Sequence, residues 1–166
     1  MRKLSIRKIA LAAVVAALYT VLSYFANIFG LAFGPVQCRF SEALCVLPFL
    51  FPETTLGLFI GCVLTNLISM YGPMDVIFGS LATLIGGLLT ARCKNKWLAP
   101  IPPILANGII VSAVIAWSEA GSFSAFLPLW GYNALTIAAG EAIACFVLGM
   151  LLLAAIEKTG AVKKLA

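Results

Sequence analysis

The chain has 166 residues, of which 63% are hydrophobic and 10% charged, with a mean hydropathy of +1.10. An ordinary soluble domain carries about 25% charged residues, so a soluble globular protein is excluded, and at about 20 residues per span there is room for six spans with short loops and no second domain. The net charge of +5 does not mark a nucleic-acid surface, because ten of the eleven basic residues sit at the edges of apolar runs rather than on one face.

Apolar runs between punctuating residues predict membrane spans over 8–29, 40–51, 54–71, 75–91, 101–117 and 131–156. The first run is too long for a signal peptide and lacks a small-residue cleavage site. It carries two small-residue stripes, Ala12-x-x-x-Ala16 and Ala13-x-x-x-Ala17, and the third run carries Gly57-x-x-x-Gly61. Each stripe permits close helix approach, either within the bundle or to another subunit. The second run is short and bounded by Pro52, so it is either a span or a re-entrant segment paired with the third. Basic clusters fall at Arg2, Lys3, Arg7 and Lys8, at Arg92, Lys94 and Lys96, and at Lys158, Lys163 and Lys164. In a six-span chain these segments share one side, and the positive-inside rule makes it the cytoplasm. The expected fold is an all-α integral membrane protein, a six-transmembrane-helix bundle forming one domain over residues 1–166, with both termini cytoplasmic.

Absent residues narrow the chemistry. There is no His, which removes histidine bases and His-dependent zinc sites, and no Gly-Lys pair, which removes a P-loop. No metal or cofactor is expected, and ATP-driven work needs a partner. The five cysteines, Cys38, Cys45, Cys62, Cys93 and Cys145, have no C-x-x-C spacing and read as small apolar residues.

The polar residues are unevenly placed. Glu53, Glu119 and Glu157 fall at span ends or in a loop and read as solvated charges. Arg39, in the outer loop 30–39, runs against the charge bias. Glu42 lies just inside the outer boundary, Asp75 at the outer start of the fourth span, and Glu141 about 15 Å down the sixth. Gln37, Ser41, Asn66 and Asn133 also fall in the outer half, and the inner half has no comparable set. Such groups can act as interhelical glue, and Arg39 and Glu42 have the spacing of a helical ion pair. Glue has no reason to prefer one leaflet, whereas a ligand cavity open to the outside requires it. Trp117, Trp130 and Tyr132 lie at the same level, as an interfacial belt or as stacking groups for a ligand.

The run Gly34-Pro35-Val36-Gln37-Cys38-Arg39-Phe40-Ser41-Glu42-Ala43-Leu44, with Asn66, the stretch Gly72-Pro73-Met74-Asp75-Val76-Ile77-Phe78-Gly79-Ser80-Leu81-Ala82-Thr83 and the overall length, resembles the queuosine-precursor transporter family. The similarity extends over the full chain. Its Gln-x-Arg-x-Ser-Glu-Ala-Leu core is far more specific than hydropathy, and Cys38 and Cys45 in the motif region read as neutral packing substitutions. The resemblance implies a substrate-binding (S) component of an energy-coupling factor (ECF) importer in a prokaryotic cell membrane. Such a component captures a 7-deazaguanine from outside and delivers it through a partner transmembrane subunit and two ATPase subunits. It also implies a docking face for that partner, on Ala12, Ala13, Ala16 and Ala17.

The pairing edge of a deazaguanine offers N1–H and an exocyclic amine as donors and one carbonyl as acceptor. Carboxylates answer the donors, while Gln37, Asn66 or Arg39 can donate to the carbonyl. Three acids against one Arg suit a donor-rich neutral or cationic ligand, and suit a carboxylate-bearing vitamin badly. The expected binding set is Gln37, Arg39, Glu42, Asn66, Asp75, Glu141, Trp117, Trp130, Tyr132 and Asn133, with Glu42 foremost. An intramembrane enzyme is disfavoured by the single Asp and the absence of G-x-S-x-G and H-E-x-x-H arrangements. Two readings stay open beside the main one: an S component for another cationic or donor-rich vitamin, and a stand-alone proton-coupled carrier using Glu141.

Overall fold

A computed structural model describes residues 5–33, 37 and 39–160. Arg2, Lys3, Cys38, Lys163, Lys164 and the Gly34-Pro35-Val36 portion of the motif lie outside the described residues. Among those described, every regular element is helical: α1 (Ile6–Ile28), a 3-10 segment (Phe40–Phe49), α2 (Thr54–Asn66), α3 (Asp75–Thr90), α4 (Lys96–Glu119) and α5 (Phe123–Thr159). Three of these, α1, α4 and α5, are long and apolar enough to cross a membrane unaided.

Each apolar run of the sequence coincides with one helical segment, and the ends differ for local reasons. The N-cap of α1 is Ser5, whose Oγ accepts from Arg7 N–H, and its C-terminus closes in a Schellman motif. There Gly30 at φ +70° lets its own N–H reach Asn27 O at 2.9 Å and Leu31 N–H reach Ala26 O at 3.0 Å. Helix α2 stops at Asn66, short of the expected residue 71, because Ser69 Oγ takes the Tyr71 N–H at 3.2 Å and Gly72 turns the chain at φ +61° ahead of Pro73. Helix α5 starts at Phe123 instead of residue 131. Pro128 and Gly131 read as breakers, yet the helix carries Pro128 in its second turn, forgoing the backbone bond that position would donate.

The second run is a 3-10 helix of ten residues. At about 2.0 Å rise per residue it extends roughly 20 Å, where an α-helix of the same length reaches about 15 Å. Pro48 within it has no N–H and would press on the carbonyl four residues back, which disfavours α geometry. Ser41 to Pro48 are all buried, so this segment is the central post of the bundle, packed against α1, α2, α3 and α5.

Around the post, α1 and α2 run parallel in a close seam where Ala12 and Ala16 meet Gly57 and Gly61. A Cβ on Gly57 would overlap the Ala12 carbonyl oxygen, and one on Gly61 would lie 2.8 Å from Ala16 O, so only glycine permits this approach. Helix α3 returns antiparallel with Gly87 against Thr55, α4 rises with Pro103 against Gly86, and α5 descends with Gly149 against Val46. This threading gathers Lys8, Glu53, Lys96 and Glu157 at one end, where Lys8–Glu53 (3.7 Å) and Lys96–Glu157 (3.0 Å) form ion pairs. That is the basic end; the opposite end carries Arg39, Asn66, Asp75 and Trp117.

Candidate functional site: a buried polar cluster in the far half

Three π turns interrupt the helices, at Asp75–Gly79, Asn107–Val111 and Ile143–Gly149. Asp75 and Asn107 each open one, and Glu141 stands two residues before the third. Wide turns of this kind are uncommon and concentrate at functional sites. The third packs directly on the 3-10 post, and the first two pack against each other.

Arg39 occupies the N-cap position of the 3-10 segment, in extended backbone that turns its side chain inward. Its Nε donates to Ala32 O at 2.5 Å, its Nη1 donates to Asn66 Oδ1 at 3.4 Å, and the guanidinium lies 4.9 Å from the centroid of the Phe33 ring. Its Nη2 is buried with no partner. Asn66, the last residue of α2, passes the connection on by donating Nδ2 to Asp75 O at 3.0 Å. Asp75 in turn accepts from Ser69 Oγ on Oδ2 at 2.6 Å, while Oδ1 is buried without a partner. The space beside Oδ1 exists because residue 79 is glycine: a Cβ there would stand 2.5 Å from Asp75 Oδ1 and 2.9 Å from Asn66 Nδ2. One unpaired donor and one unpaired acceptor therefore face the interior, joined through Asn66. Leaving such groups unmet costs about 1–3 kcal/mol each.

Deeper lies a second group. The 3-10 repeat of three residues stacks Cys45 directly below Glu42, so Cys45 Sγ donates to Glu42 Oε2 at 3.0 Å while Tyr19 OH makes a short hydrogen bond to Oε1. Cys145 Sγ lies 3.3 Å from Glu42 O and 3.9 Å from Glu141 Oε2, linking post and α5. Asn107 Nδ2 donates to Glu141 Oε1 at 2.8 Å. The i,i+3 spacing of Arg39 and Glu42 suggested an ion pair; among the described residues none forms, because Arg39 is drawn up to Ala32 and Asn66 while Glu42 is held by neutral donors.

Asn133 is fully buried, and neither its amide nitrogen nor its amide oxygen has a partner. It shares a stripe of α5 with Ile137, Gly140, Glu141, Ala144 and Cys145, about 12 Å above Glu141 on the helix axis. Gln37 is buried as well, two residues before Arg39.

The aromatic residues lie elsewhere. Trp117, 63% exposed, meets Phe126 edge-on, and Phe126 stacks on Trp130 at 6.0 Å. With Met74, Phe78 and Ile109 they line a surface groove of about 350 Å³, where Trp130 Nε1 donates to Ile109 O at 3.1 Å. Tyr132 is 57% exposed. The ring and hydrogen-bond contacts of Trp117 and Trp130 go to Phe126 and Ile109 O, away from Arg39, Asp75, Glu42 and Glu141. Of the small-residue stripes, Ala12 and Ala16 face Gly57 and Gly61, while Ala13 and Ala17 are exposed and line, with Leu56, Ile60 and Leu84, a groove of about 700 Å³.

Sequence reasoning passed over Tyr19, Asn107 and Ser69, and took the cysteines as apolar. Cys45 and Cys145 are instead thiol donors to the buried acids. Their signal was present: Glu42 is followed by Cys45 and Glu141 by Cys145, each one helical turn on.

The family model described as QueT transporter matches residues 9–158. A queuosine precursor transporter QueT from Lactococcus lactis subsp. cremoris (strain MG1363) is 35% identical over 101 residues, which cover 58% of this chain and 59% of that protein. The chain thus aligns with less than two thirds of that relative's length. No solved structure matches the chain.

Proposed function

The chain belongs to the QueT transporter family, and on that premise we propose that it is a membrane-embedded binding protein that takes up a queuosine precursor, with the 7-deazaguanine ring held at Arg39 and Asp75. The observation that carries this reading is the pair of buried, unpartnered atoms of opposite character, Arg39 Nη2 and Asp75 Oδ1. A pairing edge with one carbonyl beside two N–H donors meets both, the carbonyl accepting from Nη2 and the donors going to Oδ1. Bidentate or charge-assisted bonds in a site shielded from water are strong and orientation-specific. Asn133 and Gln37 supply further polar contacts above the ring. Glu42, with both oxygens already occupied, moves from the foremost ligand residue to the wall beneath.

In this reading the chain spans the cell membrane six times, with its basic end and both termini in the cytoplasm and the Arg39–Asp75 end outward. The three segments too short to cross as straight α-helices are carried by the long ones, and the extended rise of the 3-10 post compensates for its ten residues. The protein holds the ligand, and a partner transmembrane subunit with two ATPase subunits of the ECF type supplies the energy. Ala13 and Ala17 present the docking face, since their neighbours Ala12 and Ala16 are committed to α2.

The ligand that co-purifies with the protein tests this directly. Mass spectrometry of an extract of the purified chain should return a 7-deazaguanine in amounts that scale with protein; an unrelated vitamin in that position overturns the assignment.

A further inference from the structure

The basic end carries a feature that the buried polar cluster does not use. A groove of about 470 Å³ runs between the start of α4 and the basic-end half of α5. Lys96 and Trp97 line the end nearest Glu157, where Lys96 makes its 3.0 Å ion pair. Phe146, Val147, Met150, Leu151 and Ala154 of α5 form an apolar wall. Along the helix axis, Ala154 to Phe146 is about 12 Å, most of the roughly 15 Å hydrocarbon depth of one leaflet.

Other grooves differ in charge. The one between α3 and α4, about 500 Å³, has an apolar lining throughout, including Ile85, Leu89 and Ile101. The groove of about 700 Å³ that holds Ala13 and Ala17 contains Lys8 together with its counter-ion, Glu53. Around the groove between α4 and α5 positive charge is in excess. Arg92, Lys94, Lys96 and Lys158 lie within four residues of the Lys96–Glu157 pair, and Glu157 is the single acid in that range. Arg92, Lys94, Trp97 and Lys158 are all exposed. A soluble acidic protein would answer the cations but leave the apolar slot beneath them empty. A purely apolar partner helix would fill the slot but leave the cations unanswered. A phosphate on a hydrocarbon chain answers both.

We infer that the groove between α4 and α5 binds an anionic phospholipid of the leaflet surrounding the basic end, with its phosphate at Lys96 and Lys158 and an acyl chain along Met150 and Val147. The Lys96 ammonium has three N–H donors, so it can keep Glu157 and take a phosphate oxygen as well. Trp97 adds an amphipathic ring at headgroup level, with an indole N–H to donate. Bound there, the lipid bridges α4 and α5.

The test is native mass spectrometry of the full chain, reconstituted in vesicles of equal phosphatidylglycerol and phosphatidylcholine and then extracted in mild detergent. Wild type should retain phosphatidylglycerol about tenfold over phosphatidylcholine, the scale of basic side chains beside an anionic headgroup. Lys96→Gln combined with Lys158→Gln should bring the preference down to about twofold or less. Val147→Trp, which fills the groove and keeps every charge, should remove the retained lipid. No preference in wild type overturns the inference. So does a preference that survives Val147→Trp, since charge alone then accounts for it, or one that survives loss of both lysines. Wild type without retained lipid, together with uptake stopped by Val147→Trp in cells that supply partner subunits, gives the groove to a protein and overturns the lipid. The wild-type comparison needs no variant, so poor folding of one does not leave the question open. Failure of the heterocycle site would appear in ligand titration and leave the lipid ratio unchanged.

Discussion

At the basic end, Lys96 meets Glu157 at 3.0 Å with the two side chains 42% and 38% exposed, and Lys8 meets Glu53 at 3.7 Å. In the far half, Arg39 has no carboxylate in contact and is 6% exposed, while Glu42 and Asp75 are each 1% exposed. The same residue types thus play opposite parts. Where water screens, charges pair locally and contribute little, about 0–1 kcal/mol. Where water is excluded, the acids and the one cation are kept apart by amide, hydroxyl and thiol partners, and two charged groups retain an unmet atom. A site arranged for folding alone would have closed Arg39 on Asp75, because a bidentate pair satisfies both at once. Holding them apart through Asn66 keeps them available to something else.

Four variants probe this contrast, the largest effect first. Arg39→Met removes the lone cation from the acid cluster and strands Asn66 Oδ1. It should abolish ligand binding and lower stability in detergent by about 3 kcal/mol, measured by thermal melt and titration. Ala13→Leu combined with Ala17→Leu should leave melting and binding unchanged while stopping uptake in cells that supply the partner subunits; normal uptake removes the docking face. Gly57→Ala should cost about 2 kcal/mol, because its Cβ runs into the Ala12 carbonyl and the backbone cannot give way cheaply. Lys96→Ala should cost no more than about 0.5 kcal/mol, as expected for an exposed pair, and that effect should shrink further in high salt. A Lys96→Ala loss as large as that of Arg39→Met would erase the contrast between the two ends.

The helical runs were legible because apolar length and flanking charge mark a membrane segment by composition alone, and each expected run overlaps a helix. The polar group was legible for a related reason: Arg39, Asn66, Asp75 and Glu141 are residues that a lipid-facing surface excludes, so their presence points inward. Partner choice was not legible. Whether Arg39 reaches Glu42 or Asn66 depends on where the loop after α1 closes, which the carbonyl of Ala32 and the ring of Phe33 decide. The 3-10 and π turns were hidden as well, since they arise from how segments crowd around Pro48, Asp75 and Asn107 in three dimensions. The cysteines misled because a thiol counts as apolar in composition, yet against a buried carboxylate it is a hydrogen-bond donor. The aromatic residues were expected beside the polar group as a belt or as stacking groups for a ligand; Trp117 and Trp130 instead gather with Phe126 in a surface groove, a position that hydropathy does not distinguish from an inward one.

The central claim is that Asp75 Oδ1 is kept unpaired for the ligand. It is tested most directly by isothermal titration of wild type and Asp75→Asn with a 7-deazaguanine, beside a thermal melt of each. An amide in place of the carboxylate replaces an acceptor with a donor or weakens it, while its other atom can still accept from Ser69. Affinity should therefore fall by about 2–3 kcal/mol, on the order of a hundredfold, with melting nearly unchanged. Wild-type affinity in Asp75→Asn, or a melting temperature that falls in step with binding, would contradict the account.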